Sequence, residues 1–399
     1  MKTGNRSSLF KVFIFIAGCT LAAVPIKAQQ TVTLKQALDS ALQRSPAVQA
    51  AALQTIQSRQ LQKSSVSLDN PEVVAESPSG EFYTIGVQQS FDFPGTYVRQ
   101  HQYQKEQTKL SGFAQAISAI EVKREVGKLY LDIQYQQARL VLLNKQDSLY
   151  RSISEAAVRT FNAGKLDYIQ RTFAEVQSAE VHLRYEQAKA DYVAAQEQLA
   201  LFTGIAAPFG VDPLAASLVR EPLQVSLAAN PYVGFYAQQG VVSKRLLQVE
   251  RNRFMPGFMF GYLNQGPANT PVSYRFRAGI TVPLWFWQYT GRIQAARTGI
   301  QIAEQQSLAQ QQQFSSQLIG ARAEQSKSTL ALIYYEETGL NQAKGIEDAA
   351  GRIFNAGQSD YTTYLRTLND AYNIRFNHIE ATRNYNWSVI QLNYLSGNL

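Results

Sequence analysis

The sequence predicts a mainly helical protein that is internally duplicated and also contributes four β-strands to a membrane β-barrel. Long stretches carry apolar residues at helical spacing, and shorter segments alternate between apolar and polar residues. The same order of segments occurs twice, most clearly where residues 156–168 and 349–361 are identical at nine of thirteen positions. Helices repeat about every 3.6 residues and strands every 2 or so, which lets spacing separate the two kinds of segment.

The duplicated unit is about 190 residues long, which is too long for a solenoid repeat. The second copy follows the first by 193 residues at the matched segment and by 185 near its start. One eight-residue insertion between Pro256 and Gly279 reconciles the two offsets. We therefore expect a first repeat, a linker and a second repeat at residues 29–204, 205–222 and 223–399.

The first 28 residues predict a signal peptide. Lys2, Arg6 and Lys11 precede a mostly apolar stretch at 12–24, and Ala28 suits the cleavage position. A second reading stays open, because residues 16–19 (IAGC) fit a lipobox in which Cys19 would be lipidated. Plain secretion is favoured, since the apolar run before Cys19 is short for a lipoprotein leader.

Composition excludes several classes of protein. The net charge is +8, and the leader carries four basic and no acidic residues, so +4 remains without the clustering of a nucleic-acid surface. Cys19 is the only cysteine, so the mature chain has no disulfide. No later apolar run approaches the roughly 18–20 residues of a membrane helix. Any membrane-inserted part is therefore expected to be made of strands.

Each repeat is expected to contain a short helix, a very long helix and a third helix. Their ranges are about 34–69, 96–160 and 167–202, and again about 223–253, 291–353 and 360–395. At about 1.5 Å per residue the long helices span roughly 100 Å. The two shorter helices of each repeat have about the same combined length, so we expect them to stack end to end beside the long one.

Two predicted β-hairpins, at 71–93 and 256–287, separate the first and second helix of each repeat. A turn at 78–80 (PSG) joins the first pair of strands, and both hairpins have one aromatic and aliphatic face. A soluble, half-buried sheet would show the same alternation, but the leader and the strand lengths favour a membrane. Trp285 and Trp287 fit an interfacial girdle. The residues predicted to face lipid are Tyr83, Ile85, Val87, Phe91, Phe93, Tyr274, Phe276, Ile280 and Val282.

Four strands cannot close a barrel, and open sheet edges are not tolerated in lipid. Two copies would give eight strands with a filled interior, whereas three would give twelve strands and room for a lumen. The strand count alone does not decide between two copies and three.

Chemistry typical of enzymes is missing from the sequence. The three histidines, His101, His182 and His378, do not have metal-ligand spacing, and there is no phosphate loop or nucleophile elbow. We therefore expect no catalytic site, no resident metal and no cofactor.

The chain resembles the TolC-like outer-membrane factors over residues 31–397. The resemblance rests on the order of several short motifs: residues 33–38 (TLKQAL), 45–46 (SP), 70–72 (NPE), 89–95 (QSFDFPG), 201–204 (LFTG), 394–397 (YLSG) and two Phe-Asn-Ala-Gly turns. It implies a trimeric twelve-stranded barrel in the outer membrane and a periplasmic α-barrel of long helical hairpins. It also implies an efflux role beside a periplasmic adaptor and an inner-membrane resistance-nodulation-division pump. Residues 91–95 are similar to the heavy-metal cation efflux members.

The resemblance places the two Phe-Asn-Ala-Gly turns at the inner tip of the tube, where the adaptor docks. Glycine ends the long helices and aspartate caps the returning ones, which helix punctuation alone explains. Docking is favoured by the aromatic residue that recurs at an exposed turn. The docking residues are Phe161, Asn162, Ala163, Gly164, Asp167, Phe354, Asn355, Ala356, Gly357 and Asp360.

Two departures from the family concern the tip. The basic residues Arg159 and Arg352 lie two positions before the aromatic residue, where many members have one directly before it. Gln170 and Thr363 stand where acidic residues are often found, so a charged ring at the gate is not expected. The competing hypothesis is a soluble periplasmic coiled-coil adaptor or scaffold, which would share the helices but lack lipid-facing strands.

Overall fold

The structure, a computed structural model, describes residues 31–76, 84–216, 226–265 and 271–399. The leader, Cys19, Tyr83 and the turn at 78–80 lie outside these residues. The helices are α1 Leu34–Arg44, α2 Pro46–Lys63, α3 Pro94–Asn162, α4 Tyr168–Thr203, α5 Pro231–Asn252, α6 Phe286–Tyr334, α7 Leu340–Asn355 and α8 Tyr361–Ser396. The strands are β1 Thr31–Val32, β2 Glu72–Glu76, β3 Thr84–Phe91, β4 Gly210–Val211, β5 Gly257–Asn264 and β6 Phe276–Thr281.

The predicted helix at 34–69 is instead two helices that end at Lys63. Thr33 caps α1 reciprocally with Gln36: the Gln36 N–H donates to Thr33 Oγ1 at 3.3 Å, and the Thr33 N–H donates to Gln36 Oε1 at 3.0 Å. Proline cannot donate a backbone hydrogen bond and disfavours helical geometry in the residue before it, so α1 stops at Ser45 and Pro46 opens α2.

The second long helix is also interrupted. One π-helical turn, Tyr335–Gly339, lies between α6 and α7. The three segments have 49, 5 and 16 residues, together 70, against 69 residues in the continuous α3. A π-turn holds one more residue than an α-turn, which accounts for this difference.

The described strands form a four-stranded antiparallel sheet in the order β2-β3-β5-β6, and β1 pairs with β4 in parallel. The register is set by pairs such as Val73 with Val87 and Tyr262 with Phe276. β5 has the bounds that the alternation suggested, whereas β6 is shorter than the alternation at 272–284. Val272–Arg275 forms a 3-10 turn before β6.

Buried residues join the helices along their length. One cluster packs α1 against α3 and α4, and it includes Val126, Ile133 and Leu199. The Tyr130 hydroxyl lies 2.9 Å from both Val32 O and Asp212 Oδ2, which ties the segment after α4 to α3. Burial raises the pKa of Tyr130 to about 12.

A second cluster, nearer the 162–168 turn, joins α3, α4 and α8 through Tyr150, Val181 and Leu365. In the described part of the chain, no helix combines the length and the apolar character required to cross a membrane.

Candidate functional site

The register brings the alternating segments of both halves onto one apolar face of the sheet. Ring contacts cross the strands on this face, at 6.2 Å between the centroids of Phe91 and Phe260 and at 5.4 Å between Tyr262 and Phe276. The residues on this face are Val73, Ala75, Ile85, Val87, Gln89, Phe91, Phe258, Phe260, Tyr262, Asn264, Phe276, Ala278 and Ile280.

Much of this apolar face is exposed in a single copy. Val73 is 75% exposed, Phe276 is 65% exposed, and Ile85, Val87 and Ile280 are also exposed. A continuous apolar surface of this kind is unusual on a soluble monomer and marks a site of contact with lipid or protein.

Three residues predicted to face lipid lie outside the strands. Phe93 is the residue before α3, because Pro94 opens that helix. Tyr274 lies in the 3-10 turn before β6. Val282 follows β6 and precedes Pro283, which has no N–H to continue the ladder.

The opposite face of the sheet is mostly small or polar. It carries Glu72, Glu76, Gln88 and Arg277 among glycine, serine and threonine residues, with three apolar side chains, Val74, Met259 and Leu263. Gln88 Nε2 donates to Glu72 Oε2 at 2.5 Å. The two faces therefore differ sharply in polarity, as the walls of a barrel with a wet interior do.

Aromatic residues gather where the sheet meets the helices. Trp285, Phe286 and Trp287 are all exposed, and the rings of Trp285 and Trp287 lie 5.2 Å apart. Phe254, which the sequence reasoning missed, packs against Tyr289, with 5.9 Å between the two ring centroids. Its position just before β5, on the same level as Trp285 after β6, could have signalled this cluster.

At the opposite end of the long helices, the two predicted tip turns have nearly identical geometry. Gly164 and Gly357 both have φ of 71°. The Gly164 N–H donates to Phe161 O at 2.8 Å, and the Lys165 N–H donates to Thr160 O at 3.0 Å. This is a Schellman motif, which satisfies the last carbonyls of a helix.

The two turns also begin the returning helices in the same way. Asp167 Oδ1 accepts from the Gln170 N–H at 2.9 Å, and Asp360 Oδ1 accepts from the Thr363 N–H at 2.6 Å. The backbone N–H of Thr363 is the main reason why the pKa of Asp360 is lowered from its ordinary value.

Phe161 and Phe354 are half-buried against their own turns, so helix-hairpin packing explains their recurrence. The Phe354 ring stacks on Tyr364 at 4.3 Å and meets Tyr361 edge-on at 4.8 Å. Phe161 meets Tyr168 at 6.3 Å, with the Arg171 guanidinium 5.0 Å from its centroid. Their recurrence alone is therefore no evidence of docking.

The most exposed apolar residues at the tip are others, which the sequence reasoning missed. Tyr168 and Ile169, the first two residues of α4, are 65% and 77% exposed. The residues that correspond to them at the second turn, Tyr361 and Thr362, are half-buried. The signal was the apolar pair Tyr168 and Ile169 directly after the Asp167 cap, for which the sequence suggested no packing partner.

The two tip turns are neighbours in space. Thr160 Oγ1 and the Tyr361 hydroxyl lie 3.4 Å apart, and the Tyr150 hydroxyl donates to Leu365 O at 3.2 Å. Within the described residues, no three histidine, cysteine or acidic side chains are grouped so as to hold a metal ion. The features of the molecule that remain are thus a two-faced sheet at one end and paired turns at the other.

This arrangement is that of known channels. The chain matches the Campylobacter jejuni CmeC outer-membrane channel with a TM-score of 0.76 and 14% identity, over 92% of this chain and 86% of CmeC. It matches the Neisseria gonorrhoeae MtrE outer-membrane channel with a TM-score of 0.73 and 15% identity, over 91% of this chain and 88% of MtrE. The chain has the outer-membrane channel fold.

The likeness to these two channels extends over more than nine tenths of this chain. No family model matches the sequence. A curated relative, the cobalt-zinc-cadmium resistance protein CzcC of Cupriavidus metallidurans, is 24% identical over 270 residues. That match covers 65% of this chain and 63% of CzcC, less than two thirds of the relative's length.

Proposed function

We propose that this protein is the outer-membrane channel of a tripartite efflux pump, and that it conducts solutes passively from an inner-membrane pump and a periplasmic adaptor to the exterior. The observation that carries the proposal is the apolar face shared by all four strands of a sheet attached to helices of about 100 Å. The channel has no catalytic activity of its own, and the pump supplies the energy.

The proposed assembly is a homotrimer. Each copy brings four strands, so three copies make the twelve strands that leave an open lumen. The apolar face then meets outer-membrane lipid, with Trp285 and Trp287 at its inner boundary. The helices extend into the periplasm as a tube of six long hairpins, because each copy supplies two.

The proposed cargo is heavy-metal cations. This substrate class rests on the likeness to CzcC and on the similarity of residues 91–95 to the metal efflux members. A conduit does not need a tight site for the ion it passes, so the cargo requires only a wet path along the polar face.

The proposed adaptor site is the pair of tip turns, at 161–167 and 354–360, extended by Tyr168 and Ile169. Apolar side chains exposed on a rigid helix start are suited to burial by a partner. The leader at 1–28 and the division into repeats at 29–204 and 223–399 complete the proposal.

Cysteine labelling on intact cells tests the orientation. Whether Cys19 is removed or lipidated, the mature chain has no free thiol. An introduced cysteine is therefore the one position that the thiol reagent can label. We expect Tyr274→Cys, in the turn before β6, to react with a membrane-impermeant maleimide on intact cells. Ile169→Cys, at the tip, should react only after the outer membrane is permeabilised.

Two further readings complete the test. The wild-type protein should be found in the outer-membrane fraction and migrate compactly on a gel until it is boiled. A soluble periplasmic scaffold would instead stay in the periplasmic extract, with neither cysteine labelled on intact cells. That outcome would refute the channel.

A further inference from the structure

The two edge strands of the sheet carry opposite charges on the same face. The sheet order β2-β3-β5-β6 leaves one side of β2 and one side of β6 without a strand partner among the described residues. On the polar face, β2 carries Glu72 and Glu76, whereas β6 carries Arg277. All three side chains are exposed.

Among the described residues, none of these charges has an oppositely charged partner within one copy. Glu72 accepts from the Gln88 amide, and Arg277 Nη2 lies 3.2 Å from Gln265 Oε1, so both have neutral partners. In the described residues, no ion pair includes Glu72, Glu76 or Arg277. The charges are therefore available to a second chain.

The directions of the strands permit that pairing. Successive strands of the sheet are antiparallel, so β2 and β6 run in opposite directions. If β6 of one copy joins β2 of the next, the antiparallel ladder continues without a break. Such a contact uses two different edges, and heterologous contacts of this kind form a ring when the rotation between copies closes.

Charge also selects this contact over the alternatives. A β2–β2 contact would bring glutamates together on one face, and a β6–β6 contact would bring arginines together. Like charges opposite each other destabilise a sheet, whereas opposite charges stabilise it. Only the β2–β6 contact is attractive.

Arg277 can reach a glutamate in more than one register between β2 of one copy and β6 of the next. The positions of β2 on the polar face are Glu72, Val74 and Glu76. A long side chain reaches the residue opposite and, diagonally, the residues about two positions away. Arg277 opposite any of the three positions therefore meets a carboxylate.

Where β6 of one copy meets β2 of the next in the proposed barrel, we propose that Arg277 forms an ion pair on the inner face with Glu72 or Glu76 of the neighbouring copy. The proposal rests on the proposed function, since it specifies how the barrel closes. It names residues at each of the junctions between copies and makes the ring directional.

A charge-reversal series tests the ion pair. Arg277→Glu places three acidic residues at every junction, and we expect the fraction of oligomer in detergent to fall about tenfold because the same change acts at all three junctions. Glu72→Arg with Glu76→Arg should weaken the oligomer in the same way. Combining all three substitutions restores opposite charges and should restore the oligomer, whereas failure of this rescue would overturn the ion pair.

Cysteine cross-linking tests the strand pairing. Ala75→Cys together with Ala278→Cys places thiols on the lipid side of β2 and β6. Mild oxidation should give covalent dimers and trimers and nothing larger. Either substitution alone should give no cross-linked dimer or trimer. Val73→Cys with Val87→Cys should give only monomer, because these two residues are opposite each other within one copy.

The outcomes separate the two proposals. If the oligomer forms in the membrane but no pair among positions 73 and 75 with 276, 278 and 280 cross-links, the junction is wrong and the channel stands. If the wild-type protein is a soluble monomer, both proposals fail.

Discussion

At the residue scale, the tip turns depend on backbone geometry more than on side-chain contacts. Gly164 and Gly357 adopt the left-handed conformation that side chains with a Cβ rarely tolerate. A Cβ at either position would meet no heavy atom within 4 Å, so there is space for a side chain. Substitution therefore acts through backbone strain alone.

A pair of variants isolates this strain. Gly164→Ala should lower the free energy of unfolding by about 1 kcal/mol, because alanine resists positive φ. Gly164→Asn should cost less, since asparagine visits this region more readily. Thermal unfolding followed by circular dichroism in detergent measures the difference, and equal losses would contradict the backbone explanation.

The cap of α8 predicts sensitivity to acid. The pKa of Asp360 lies below its ordinary value of 3.8, so its carboxylate stabilises the folded state fully above that pH. The contribution is lost as the pH falls through the lowered pKa. Wild type should therefore lose its advantage over Asp360→Asn on acidification.

The measurement is the unfolding midpoint of both proteins from about pH 7 down to about pH 3. Asp370→Asn, an exposed position in the middle of α8, serves as the control. A gap between wild type and Asp360→Asn that stays constant over this range would contradict the assignment of the cap.

At the element scale, the spacing of apolar residues predicted the long helices but did not predict the breaks within helices. The helices at 96–160 and 167–202 lie within two residues of α3 and α4, because their apolar positions recur over many turns. The break at Ser45 was missed although Pro46 marked it, since apolar residues continue past it. The face shared by β3 and β5 required a register that alternation cannot supply.

The π-turn escaped prediction for a different reason. One extra residue shifts a helical pattern by about 100° only after the insertion, and both sides still read as helix. The exposure of Tyr168 and Ile169 was not predicted, because Tyr168 is identical to Tyr361 in sequence and only the packing of the two turns distinguishes them. Similarity between the repeats favoured shared positions over the one where they differ.

A deletion tests whether the π-turn is a one-residue insertion. Removing Thr338, which is exposed, should convert the turn to α-helix and leave the packing on either side unchanged. Removing Lys327, in the regular part of α6, should rotate everything after it and destroy the assembly. Yield of heat-stable oligomer compares the two, and equal loss would count against the insertion.

At the scale of the whole molecule, the proposed roles in membrane insertion and in adaptor docking belong to opposite ends of the long helices. The sheet lies at one end of α3 and the paired turns at the other, about 100 Å away along the helix. Long-range coupling between the two ends is not needed for either role. Substitutions in the tip turns should therefore leave membrane insertion intact, and substitutions in the sheet that still allow insertion should leave the tip turns intact.

Ile169→Asp tests this separation. An acidic residue in the first helical turn is favourable to folding, so the variant should insert and assemble normally. It should nevertheless lose adaptor binding, and metal resistance in cells should fall several-fold. Thr362→Asp, the corresponding change at the half-buried second turn, should have the smaller effect on binding.

A pull-down with the cognate adaptor measures binding by the two variants, and a growth assay measures their metal resistance. Equal binding by wild type and Ile169→Asp would remove Ile169 from the docking surface. Loss of insertion in Ile169→Asp would show that the two ends are not independent.

The unpaired edges of the sheet, on β2 and β6, have a consequence for the newly synthesised chain. Before the proposed assembly, each copy exposes apolar strands and, at the two edges of the described sheet, backbone groups without a strand partner, which together favour aggregation. Its passage to the site of assembly must be brief or escorted by a chaperone. Overproduction beyond the capacity of that escort should therefore yield insoluble deposits instead of idle monomers.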